Sequence, residues 1–131
     1  MRCGGKVVRY ILLAGKDWQA RALLRAQLME EGFEVEAHES IPDALAGLDP
    51  GSNLPDLLVA DISASEDPSA DVEALTQWSG KIPVWIIASR AYIVDKGLRG
   101  HGFEMILLRP VDVNELVDQI KQRLEENLEI E

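Results

Sequence analysis

Apolar and polar positions along the chain switch repeatedly between a two-residue and a helical period. Val7–Leu13 is an apolar run broken by Arg9 and predicts a strand that ends at the turn Ala14-Gly15. Asp17 is placed to cap a helix over Trp18–Glu31, where Ala20, Leu23, Leu24, Gln27 and Leu28 follow a helical stripe with one polar slot. Gly32 closes that helix, and Phe33–Ala37 then alternates as a half-exposed strand does. Ser40-x-x-Asp43 resembles a capping box and opens a short helix carrying Ala44, Leu45 and Leu48. Asp49-Pro50-Gly51-Ser52 has turn chemistry, and the aliphatic strand Leu57–Ala60 follows, stopping abruptly on Asp61. A polar loop from Ser63 to Ala70 leads to a helix predicted over Asp71–Trp78. Lys81-Ile82-Pro83 enters a fourth strand, Val84–Ala88, and Tyr92–Leu98 predicts a helix weakened by Gly97 and Gly100. Met105–Leu108 is the fifth strand. Asp112 caps a last helix with Glu115 three residues on and an apolar face of Val113, Leu116, Val117, Ile120 and Leu124. The acidic tail, Glu125–Glu131, is expected to fray.

Strand followed by helix, five times over, predicts an α/β fold: a doubly wound (βα)5 unit with a five-stranded parallel sheet and helices on both faces. The runs around Leu12, Val59 and Ile86 are continuously apolar, as central strands covered on both sides must be. In open sheets of this kind the chemistry lies beyond the carboxyl ends of the strands. Gly15, Lys16, Asp61, Ala88 and Arg109 all fall there.

Composition narrows the function. The 131 residues suit a single domain over 1–131, and 47% hydrophobic with 27% charged is ordinary for a soluble globular protein. A formal net charge of -10 argues against direct contact with nucleic acid or an anionic membrane. Cys3 is the one cysteine, so no intrachain disulfide can form. Without a signal-peptide pattern or a membrane-length apolar run, the expected location is the cytoplasm. Gly97-x-x-Gly100-x-Gly102 is not the dinucleotide fingerprint, and Ala14-Gly15-Lys16 lacks the rest of a phosphate loop. His38 and His101 have no ligand spacing. No enzymatic activity is expected.

Four stretches carry a family resemblance. "ILLAGKDWQARALLRAQLMEEGFEV", "DALAGLDPGSNLPDLLVADIS", "KIPVWIIASR" and "HGFEMILLRPVDVNELVDQI" occur in order and at the proper spacing, and together they resemble the receiver domains of two-component response regulators. The resemblance implies a flavodoxin-like fold, with Asp61 at the phospho-accepting position and Arg109 at that of the family's lysine. Arg109-Pro110 matches the family's cis dipeptide. The implied partners are a sensor histidine kinase or phosphotransfer protein upstream and an effector protein downstream, with a homodimer as a further possibility. Neither nucleic acid nor membrane is implied as a direct partner.

Departures from the family pattern fall on the working positions. The two acids that hold Mg²⁺ are replaced by Gly15 and Lys16, and Asp17 is an acid one place later. The hydroxyl residue after the fourth strand becomes Ala88, with Ser89 one step on as a possible substitute. The aromatic switch position is Ile106, which with Tyr92 is a candidate for an interaction face. Phosphoryl transfer to a carboxylate sets negative oxygens against a negative nucleophile, and metal plus fixed cations must offset the repulsion. Glycine and lysine offer Mg²⁺ no side-chain oxygen, which leaves Asp17 and Asp61 as weak metal candidates and no certain cofactor. The Lys16 ammonium is expected instead to take the metal's place and pair with Asp61, Arg109 lying on the other side. The alternative is a solvated Lys16 with Asp61 capping the following turn.

The expected function is therefore a degenerate receiver with impaired Mg²⁺-dependent aspartyl phosphorylation, working through protein–protein contact. Its rivals are a conventional receiver phosphorylated on Asp61 and a small-molecule binding domain on the same fold.

Overall fold

The structure, a computed structural model, describes residues 8–90, 98 and 100–129. Its strands are β1 (Tyr10–Ala14), β2 (Glu34–His38), β3 (Leu57–Asp61), β4 (Val84–Ala88) and β5 (Met105–Leu108). The described helices are α1 (Trp18–Glu30), α2 (Ile41–Ala46), α3 (Pro68–Trp78) and, last, α4 (Val113–Glu129). The strands form one sheet in the order β2-β1-β3-β4-β5, and every neighbouring pair is parallel. This is the doubly wound, flavodoxin-like arrangement.

The three apolar runs become β1, β3 and β4, the centre of the sheet, and successive residues point to opposite faces. Leu12, Ala14, Leu58, Ala60, Ile86 and Ala88 face α2 and α3, where Ile41, Ala44, Val72 and Leu75 complete a core layer. Ile11, Leu13, Leu57, Val59, Trp85 and Ile87 face α1 and α4, packing on Leu24, Leu28, Leu116, Val117, Ile120 and Leu124. No polar or charged residue among those described is buried. A core of this kind stabilises by roughly 25 cal/mol per Å² of apolar surface removed from water, and it leaves no place for charge until each strand ends.

Local chemistry sets the ends. Asp17 and Ser40 cap α1 and α2 by accepting from Ala20 N and Asp43 N, and Asp112 accepts from Glu115 N at the head of α4. Gly32 adopts φ +97° just past α1, a conformation that costs glycine little. Three boundaries differ by more than one residue from those expected. The described β1 starts at Tyr10, whose N–H is taken by Asp56 Oδ2 at 2.8 Å, while Val8 is left exposed. Leu48 lies beyond the end of α2 but still packs against the α2/α3 core layer. Helix α3 begins at Pro68, a turn early, because Asp67 caps it and a proline suits the first helical position. Helix α4 runs on into the acidic tail as far as Glu129. The helix expected over Tyr92–Leu98 lies outside the described residues, except Leu98, which is buried.

One polar clamp ties the sheet edge to α4. Glu104 accepts from Trp85 Nε1 at 3.1 Å and is held by Arg123 through Nε at 2.6 Å and Nη2 at 3.0 Å. The Arg123 hydrogen bond, against a smaller effect of burial, holds the Glu104 carboxyl below its ordinary 4.5. The unfolded chain thus binds a proton here before the folded one does. The clamp's stabilisation is complete above pH 4.5 and is lost as pH falls through the lowered folded value. Urea unfolding followed from pH 7 to pH 3 should show a shallower acid loss of stability in Glu104→Gln than in the wild type.

Candidate functional site

The carboxyl ends of β1, β3 and β5 converge on Asp61. It is the last residue of β3, beside Ile87 of β4 in the ladder, and its side chain is 14% exposed. Gly15 sits next to it at the end of β1. A Cβ at Gly15 would stand 3.0 Å from the Asp61 Cβ, so the two strand ends approach as closely as they do because one has no side chain. From β5, Arg109 N donates to Ala88 O at 3.0 Å, and the side chain then crosses the end of β4.

Arg109 Nη2 donates to Asp61 Oδ2 and also reaches Asp17 Oδ2 at 3.4 Å. A single guanidinium therefore joins the ends of β3 and β5 to the head of α1. The Asp61 hydrogen bond is the main reason that the Arg109 pKa lies above its ordinary value. The other carboxylate oxygen, Asp61 Oδ1, accepts from Ser63 N at 2.9 Å and Ser63 Oγ at 2.6 Å. Asp61 thus both caps the turn after β3 and pairs with a cation.

The cation is not the lysine. Lys16 Nζ bonds Glu66 Oε2 at 3.3 Å, and both side chains lie well out in solvent. The expected Lys16–Asp61 pair is therefore corrected. Arginine in the site is the better choice, because a planar fork with a weakly hydrated charge suits a half-buried carboxylate. Arg21 Nη1, in turn, donates to Gly15 O, so this backbone oxygen is also engaged. Ser63, Arg21 and Glu66 were not singled out from the sequence. Asp61-x-Ser63 is a local turn signal, but the other two contacts have none.

Of the remaining candidates, Ala88 is fully buried at the end of β4. Ser89 follows it, half-buried. Ile106 packs against the α2/α3 core layer. The Arg109-Pro110 bond is cis. Tyr92 lies outside the described residues.

Mg²⁺ does not fit these residues as they stand. The oxygens that Asp61 and Asp17 offer toward each other already face one guanidinium. Among the described residues no three His, Cys, Asp or Glu side chains come together as a metal site. Asp61 also borders a recess of about 200 Å³ lined by Lys16, Ser40 and Ser65 and by Glu39, Glu66, Asp67 and Asp71. That lining is acidic on balance.

No protein-family model matches the chain, and no curated protein does. Solved structures do. A CheY-like response regulator receiver domain from Methanospirillum hungatei superposes with a TM-score of 0.75 at 19% identity, over 95% of this chain and all of that one. The chain has the receiver fold. The non-phosphorylated HemR receiver domain from Leptospira biflexa gives 0.71 at 21% identity, covering 87% of this chain and 92% of that one. A receiver domain from Clostridium thermocellum gives 0.74 at 17% identity, over 95% and 100%. No described helix is long and apolar enough to cross a membrane.

Within this receiver fold, Arg109→Met leaves Asp61 half-buried without its cation. The loss should be about 1–3 kcal/mol, given the worth of hydrogen bonds to charged groups and the partial exposure of the pair. It should appear in chemical denaturation as a lower midpoint at unchanged slope.

Proposed function

We propose that this chain is a signalling module of the response-regulator receiver type, non-enzymatic and cytoplasmic, whose phospho-acceptor position is held shut by its own arginine. The whole chain acts as one receiver-like domain. It works through protein–protein contact with partners of a two-component pathway, a histidine kinase or phosphotransfer protein on one side and an effector on the other. The observation that carries this is the Arg109 guanidinium seated between Asp61 and Asp17.

Three arguments support impaired phosphorylation. A phosphoryl donor would have to displace a cation that already satisfies the nucleophile, and the Asp61 oxygen facing Ser63 is occupied as well. Among the described residues, the recess beside Asp61 sets Glu39, Glu66, Asp67 and Asp71 against one cation, Lys16, a balance that repels an anionic phosphoryl group. Position 88 has no hydroxyl to follow a phosphate inward, and Ile106 has no ring to carry such a movement to the surface.

The test is an amide NMR titration with beryllofluoride and Mg²⁺, on the wild type and on Asp61→Asn. Both spectra should stay unchanged. Shifts around Asp61 in the wild type alone would show that the site accepts a phosphoryl mimic, and the conventional receiver reading would replace this one.

A further inference from the structure

We propose, resting on the reading that Arg109 shuts the Asp61 site, that Arg21 is its second lock: the two guanidiniums together stand in for a divalent cation and conceal a site for one. Gly15, Asp17, Arg21, Asp61 and Arg109 all line a single hollow of about 60 Å³. Its acidic and backbone oxygens are Asp17 Oδ2, Asp61 Oδ2 and Gly15 O, and an arginine serves each of them. Arg109 Nη2 reaches both carboxylates, and Arg21 Nη1 donates to the carbonyl. The rest of the lining is aliphatic, so these four charges answer only to one another.

The charges balance. Asp17 and Asp61 supply two negative charges, and Arg109 and Arg21 supply two positive ones, as a single divalent ion would. Arg109 alone leaves one carboxylate charge unmatched. Helix chemistry does not account for Arg21 at this place. It is the fourth residue of α1, and a cation in the first turn opposes the helix dipole. Its half-buried guanidinium nevertheless folds back past the head of the helix to Gly15 O. Its direct partner is a carbonyl, which leaves its charge to the field of the two aspartates.

An oxygen-seeking divalent ion needs these same three donors, with waters to complete its shell. The hollow has room for a few waters already, and losing two long side chains enlarges it. Removing either arginine alone leaves the other cation beside the ion. At about 5 Å, one unit charge changes the affinity for a divalent ion by about tenfold even at the dielectric of water. Only the loss of both arginines frees all three donors and leaves two negative charges unopposed.

Mn²⁺ binding to the whole chain, read from the loss of the free-ion electron paramagnetic resonance signal, tests this. The variants are Arg21→Ala, Arg109→Ala and the two combined. The double variant should bind one equivalent more than the wild type, at least about tenfold more tightly than either single variant. Adding Asp17→Asn to the double variant should abolish that equivalent. Asparagine keeps the cap of α1, and Asp17 does not line the acidic recess on the other side of Asp61, so the loss reports this hollow alone. Should the double variant fold poorly by itself, Mn²⁺ should raise its thermal midpoint, because an ion held only by the folded chain stabilises it. A double variant that gains neither the equivalent nor the midpoint, beside a silent wild type, would overturn the proposal and leave the shut site standing. An Arg109→Ala variant that binds as tightly as the double variant would also overturn it, since Arg21 would then have no part. A wild type that already binds Mn²⁺, and loses it with Asp17→Asn, would overturn the shut-site reading and this one with it.

Discussion

The central strands β1, β3 and β4 are covered on both faces, and this constraint decides where everything else can be. Their side chains point alternately into two apolar layers, so neither face tolerates a charge. Polar chemistry is pushed to the strand ends, and Asp61 is the first residue of β3 to escape. Ala14 and Ala88 end β1 and β4 buried, and it is Arg109, the residue after β5, whose side chain reaches back across that edge. The site is thus a consequence of the core.

At that edge the electrostatic problem is to neutralise two carboxylates, Asp61 and Asp17, brought close by the ends of β3 and α1. A bound divalent ion would solve it with a charge that can leave. Here a covalently attached guanidinium solves it with a charge that cannot. The difference reaches beyond affinity, because a tethered cation is present in every molecule at all times, while an ion site can be empty or filled. A pocket neutralised in this way favours one state. Gly15 fits the same picture. Its missing side chain allows the close approach of β1 and β3, at a position where a carboxylate would be both crowded and unpaired by metal.

Much of this was legible in the sequence, and the reasons are specific. The limits of β4 and β5 were read directly because each apolar run is bounded by Pro or a polar residue, Pro83 and Ser89 for the one and Glu104 and Arg109 for the other. The caps at Asp17, Ser40 and Asp112 were legible because a cap is a contact across three residues. The start of α3 was misread because Asp67-Pro68-Ser69 looks like loop composition, although it is also a cap followed by a proline at the first helical position. The partner of Lys16 was misread for a different reason. Its contact with Glu66 spans fifty positions and two loops, and no periodicity records which of several nearby acids a flexible ammonium meets. Arg109 was easier to place because the strand before it fixes where its chain emerges.

Helix α1 takes part in both halves of this picture. Its inner face, Leu24 and Leu28, is committed to the core, and its N-terminus is committed to the site through Asp17. Only its outer face is uncommitted, and there the sequence places a tryptophan and a methionine where a solvated helix would carry lysine and glutamate. A helix pinned at one end by an ion pair and along one side by a core has little freedom to move. Whatever docks on its outer face meets a preformed surface and loses little free energy to ordering it.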